Sequence, residues 1–129
     1  MKFLIVVSQL TPYIWDCARR LSAFDACKVR VVSIRRPTLH GFDIALFQSQ
    51  PPALEVAWGD EASDRRVSFE SWNPDRVLVG GWFLPELRWY LDQCKIRRIA
   101  CLAMSDTAVR TAIAARAADL IKRIYLRRR

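Results

Sequence analysis

Three segments of this chain hold residue types suited to recognition or catalysis: Ser8-Gln9-Leu10-Thr11-Pro12-Tyr13, Gly80-Gly81-Trp82 and Ser105-Asp106-Thr107. Each follows an apolar run. Adjacent glycines let a backbone approach a ligand closely, and an indole beside them can stack on a sugar ring or a base. A plainer reading stands next to this one, in which Gly80-Gly81 turns the chain and Trp82 fills a core gap. Asp106 has the chemistry of a base or a hydroxyl acceptor. Between Ser105 and Thr107 at a helix start, however, it fits better as a cap whose carboxylate meets the helix dipole. Ser8, Thr11, Tyr13, Gly80, Gly81, Trp82, Ser105 and Asp106 are the candidate binding residues, and no catalytic residue is assigned.

Other chemistries find no support. His40 is the only histidine and lies in an unpatterned stretch without a recognisable partner, so no hydrolytic triad can be built. The four cysteines, Cys17, Cys27, Cys94 and Cys101, have irregular spacing with no C-x-x-C pair. They are expected to be reduced core residues, and no metal site is expected. Neither G-x-G-x-x-G nor a Walker A loop is present, so no nucleotide cofactor is expected.

The elements that would position these segments alternate. Lys2 to Ser8 is a β-branched and aromatic run typical of a strand covered on both faces, and its apolar stretch ends too early for a signal peptide. Thr11-Pro12 predicts a capped helix with Ile14, Cys17, Ala18, Leu21 and Phe24 inward and Asp16, Arg19 and Arg20 outward. Lys28 to Ile34 is a second strand, closed by Pro37. Ile44 to Phe47 and Leu54 to Trp58 read as short strands, and Gly59 to Arg66 as a flexible polar loop. Arg76 to Val79 is a strand ending at Gly80-Gly81. Pro85 opens a helix with Leu87, Tyr90, Leu91 and Cys94 on one face. Ile99 to Met104 is a further apolar strand, and a last helix runs from the Ser105 cap to about Arg127. The expected fold is α/β: one Rossmann-like domain over residues 1–129, with a mainly parallel sheet and helices on both faces. Its central strands are expected to include Phe3 to Val7, Val77 to Val79 and Ile99 to Met104. Apolar runs this short do not reach the roughly 18 residues of a membrane span.

Charge is the other strong signal, since 21 Lys and Arg against 13 Asp and Glu give a net +8. On the last helix, Arg116, Arg123 and Arg127 border an apolar arc of Val109, Ile113, Ala117, Leu120, Ile121 and Ile124. This pattern fits contact with an anionic membrane or with phosphates, and equally a core-packed helix with solvated arginines. Nucleic acid is disfavoured, because no helix-turn-helix, RRM or KH pattern accompanies the charge.

The order Ser8-x-x-Thr11-Pro12-Tyr13, then Asn73-Pro74-Asp75-Arg76-Val77-Leu78-Val79-Gly80-Gly81-Trp82, then Met104-Ser105-Asp106-Thr107 and a basic helix resembles the N-terminal domain of family-4-type glycosyltransferases. The resemblance spans most of the chain and is most specific in the Pro74 to Trp82 stretch. It implies the acceptor-binding half of a two-domain GT-B enzyme working in the cytoplasm, peripheral to the inner face of the membrane, often on a lipid-linked sugar. Gln9-Leu10-Thr11-Pro12 stands where many relatives have a Gly-Gly loop, and Asp106 where many have His. The nucleotide-sugar-binding half is not within these residues, so the isolated chain is expected to be catalytically incomplete and to bind no sugar donor tightly. A donor-binding domain in trans is one expected partner, and a homodimer covering an open apolar patch is another. The alternative is a non-catalytic Rossmann-like module docking on anionic lipid or on a protein.

Overall fold

The computed structural model describes residues 1–35, 51–59 and 61–104. Through them run β1 (Lys2–Gln9), α1 (Pro12–Ser22), β2 (Lys28–Arg35), β3 (Leu54–Trp58), α2 (Ala62–Trp72), β4 (Arg76–Gly80), α3 (Pro85–Arg97) and β5 (Ala100–Ala103). The strands form one sheet in the order β3-β2-β1-β4-β5, with every neighbouring pair parallel. This is the expected Rossmann-like α/β architecture. The second candidate strand, Leu54 to Trp58, is β3. The expected strand Ile44 to Phe47, His40 and the expected helix after Ser105 lie outside the described residues.

Strand alternation divides the core in two. On one face Leu4, Val6, Val32, Val77 and Val79 pack under Phe69 and Trp72 of α2 and Leu87, Tyr90 and Cys94 of α3. On the other, Ile5, Val7, Val29 and Val31 pack under Trp15 and Ala18 of α1. The α1 contact face therefore differs from expectation. Trp15, Ala18 and Ser22 are buried, Ile14 and Leu21 are partly buried, and Cys17 and Phe24 are exposed. The indole is the largest apolar side chain of the helix. Its burial turns the helix so that Cys17 faces outward, and the helix ends before Phe24.

The polar stretch around Gly59 to Arg66 is corrected as well. Residues from Ala62 onward are the start of α2, whose buried side chains are Ser68, Phe69 and Trp72. Three buried positions clustered in the last half of a charged helix leave little apolar period to read. The helix closes on Asn73, which takes the left-handed conformation at φ 47° and donates its N–H to the Phe69 carbonyl at 3.0 Å. Several longer contacts seat α2 on the sheet. Trp72 Nε1 donates to the Phe3 carbonyl at 3.0 Å, and Arg30 stacks 4.5 Å over the Trp72 ring while donating to Glu55, Ser71 and the Ser68 carbonyl.

Two further expectations fail. β5 occupies an edge and not the centre of the sheet, and Ala100, Cys101 and Leu102 are exposed. A continuous apolar run signals a strand, but its place in the order depends on pairings that no local pattern encodes. Of the cysteines only Cys94 is buried; Cys17 and Cys101 are exposed, Cys27 is intermediate, and all are free thiols.

Candidate functional site

The strand order makes β1 the pivot of the sheet. The chain leaves β1 through α1 toward β2 and leaves β4 through α3 toward β5, and these helices lie on opposite faces. Divergence of this kind opens a crevice beyond the carboxyl ends of the two strands, the place where open α/β sheets bind ligands. Val7 pairs with Gly80, so Ser8-Gln9 at the end of β1 and Gly81-Trp82 beyond β4 lie at the same end of the sheet. Two of the three candidate segments are thereby brought to one place. The third, with Ser105 and Asp106, lies outside the described residues, as do Arg116, Arg123 and Arg127.

The first wall is built by local capping. Leu10 is buried and donates its N–H to Ser33 Oγ at 2.9 Å, while Ser33 Oγ donates to the Arg35 carbonyl at 2.7 Å. This fully buried serine ties the exit of β1 to the end of β2. Thr11 caps α1 as expected: its hydroxyl accepts from the Ile14 N–H at 3.3 Å, and Pro12 follows in the first turn. No acidic residue occupies that turn, so the positive end of the helix dipole is not offset by a carboxylate of α1. Tyr13 is 74% exposed beside it.

The second wall explains its glycines without a ligand. A Cβ on Gly80 would lie 2.9 Å from Val7 Cγ1, and a Cβ on Gly81 would lie 2.8 Å from the Phe83 ring. Gly81 also has φ +130°, a conformation that residues with a side chain rarely adopt. Both positions are thus fixed by the chain's own packing. Trp82 is half-buried and Phe83 is 62% exposed. Sequence reasoning passed over Phe83, although an aromatic residue directly after Gly81-Trp82 was the available signal.

The two segments that meet at this end of the sheet carry aromatic rings at Tyr13, Trp82 and Phe83 and hydroxyls at Ser8 and Thr11. They contain no carboxylate, imidazole or thiol, so no general acid–base pair can be drawn from them. Stacking and neutral hydrogen bonding are the interactions these residue types can make. Among the described residues no cluster of three or more His, Cys, Asp or Glu side chains could hold a metal ion. No described helix is long and apolar enough to cross a membrane. Comparisons with protein-family models, curated proteins and solved structures each return no match. The reading that follows rests on the resemblance of the sequence and on the meeting of two of its segments at this end of the sheet.

Proposed function

We propose that this chain is the acceptor-binding domain of a glycosyltransferase acting near a membrane surface, completed by a nucleotide-sugar-binding domain in trans or elsewhere in the protein. The observation that supports the reading is the meeting of Ser8–Tyr13 and Gly80–Trp82 at the crevice between β1 and β4. These are two of the segments on which the sequence resemblance rests. In this reading the rings of Tyr13 and Trp82 stack on the acceptor sugar, and Ser8 and the backbone at Gly81 hydrogen-bond its hydroxyls. Arg116, Arg123 and Arg127 hold the domain against anionic lipid.

A second reading, a non-catalytic module docking on lipid or a partner protein, is favoured by a different observation. Among the described residues no helix crosses the apolar groove over β4 and β5 on the α1 side of the sheet; it is lined by Phe3, Ile5, Leu78 and Leu102, and Leu102 is 65% exposed. Exposed apolar patches of this kind mark interaction surfaces.

Titrating the chain with a lipid-linked sugar phosphate, read by tryptophan fluorescence and by sedimentation with anionic and neutral vesicles, separates the two. The acceptor reading expects saturable binding that Trp82→Ala abolishes and that persists in detergent without vesicles. Vesicle binding that is lost in salt and on changing the three arginines to Gln, with no response to the sugar, favours the docking module. Absence of both responses refutes both readings.

A further inference from the structure

Two cysteines of the described structure line one groove away from the crevice, at the far edge of the sheet. Cys94 lies on the inward face of α3 and Cys101 on the edge strand β5, where it pairs with Val77. The connection between them is short and fixed. Arg98 closes α3 in the left-handed conformation at φ 56°, and the Ile99 N–H donates to the Cys94 carbonyl at 2.9 Å. That turn folds β5 back onto the last turn of α3, so that both cysteines line one groove of about 410 Å³ in which Lys95 is the only charged residue among the described ones. Cys94 is 2% exposed, whereas Cys101 is open to solvent at the edge.

We propose that Cys94 and Cys101 form a reversible intrachain disulfide when the protein meets a peroxide, fastening the edge strand β5 to α3. The two thiols have unequal roles. The interaction between the two thiols holds Cys101 below and Cys94 above the ordinary thiol range, and burial adds to the rise at Cys94. Cys101 is therefore the exposed, more acidic sulfur that a peroxide meets first. Its thiolate sulfur attacks one peroxide oxygen, the O–O bond breaks, and the departing hydroxide takes up a proton to leave as water. Cys101 is then a neutral sulfenic acid, and the negative charge that opposed ionisation of Cys94 is gone. The Cys94 sulfur attacks the sulfenic sulfur, its proton joins the departing hydroxide as a second water, and the S–S bond forms. Each sulfur gives up one electron, and the peroxide is reduced to two waters.

Adding near-stoichiometric hydrogen peroxide to the full chain, followed by intact mass and a non-reducing peptide map, tests this. The expected product is a monomer lighter by two hydrogens, with the Cys94 peptide linked to the Cys101 peptide. Cys17 and Cys27 stay open to alkylation, and a dithiol restores the starting mass. In Cys94→Ser the link is lost and Cys101 gains oxygen instead, trapped first as a sulfenic acid by a dimedone-type reagent. Should that variant fail to fold, the wild-type map decides alone. Oxygen addition to wild-type Cys101 without a link, a link to Cys17, Cys27 or a second chain, or no reaction under excess peroxide would overturn the proposal.

Discussion

The two faces of the sheet are built from the same residue types and end in different states. Under α2 and α3, Leu4, Val6, Phe69, Val79, Leu87 and Tyr90 are fully buried. Across the sheet α1 covers β1, β2 and β3, but no described helix covers Leu78 of β4 and Leu102 of β5, and Leu102 remains 65% exposed. Coverage and not composition separates them, since burying a leucine or phenylalanine stabilises by about 1.5–3 kcal/mol only where another element lies over it. The covered face anchors α3, and through α3 one wall of the crevice. On the other face Leu102 has no cover among the described residues.

The largest expected effect breaks the comparison directly. Phe69 packs edge-on against Trp89 and tilted against Tyr90, at centroid separations of 5.8 and 5.9 Å. Phe69→Ala is expected to cost about 3–5 kcal/mol of unfolding free energy in urea denaturation. Leu102→Ala on the open face is expected to change stability by less than about 0.5 kcal/mol. A comparable loss at both positions would show that something covers the open face in solution. Gly81→Ala comes next, where backbone strain and the Phe83 contact are expected to cost about 1–3 kcal/mol. Its value is that it separates structure from binding: a stable Gly81→Ala protein would remove the packing explanation for that glycine.

Much of the architecture was legible because each strand signal was local. The β-branched run of β1, the Thr11-Pro12 cap and the Gly80-Gly81 stop each act within a few residues, and all three stand where the pattern put them. The misreadings involve information that is not local. α2 is seated by Trp72 reaching the Phe3 carbonyl and by Arg30 reaching Ser68 and Ser71 from β2, contacts spanning 38 residues or more. Its own stretch shows polar residues and no period. The face of α1 was off by one position because Trp15, with Asp16, Arg19 and Arg20 nearby, gave no cue that the indole outweighs Ile14 and Cys17. Of the candidate site, the crevice between β1 and β4 followed from strand order. The shared groove of Cys94 and Cys101 did not, since their spacing matches no motif and the turn at Arg98 folds β5 back toward α3.

The smallest expected effect concerns α1, the helix of the half-open face. Asp16 accepts from Arg19 at 3.0 Å and from Arg20 at 2.6 Å, one helical turn away on the solvent side. These hydrogen bonds hold the Asp16 carboxyl below its ordinary value of 3.8. A carboxyl whose acidity rises on folding stabilises the fold when both states are ionised and loses that contribution as protons bind the folded form. The stabilisation is therefore complete above the ordinary value, declines as pH falls through the lowered one, and is absent below it. Both guanidiniums are well exposed, which keeps the pair weak. Melting temperatures of the wild type and Asp16→Asn, compared at low salt from neutral to strongly acidic pH, are expected to differ slightly in favour of the wild type near neutrality. The curves are expected to converge in acid, and raising the salt should shrink the gap. A difference that persists at the acid end would show that Asp16 acts through helix geometry and not through its charge.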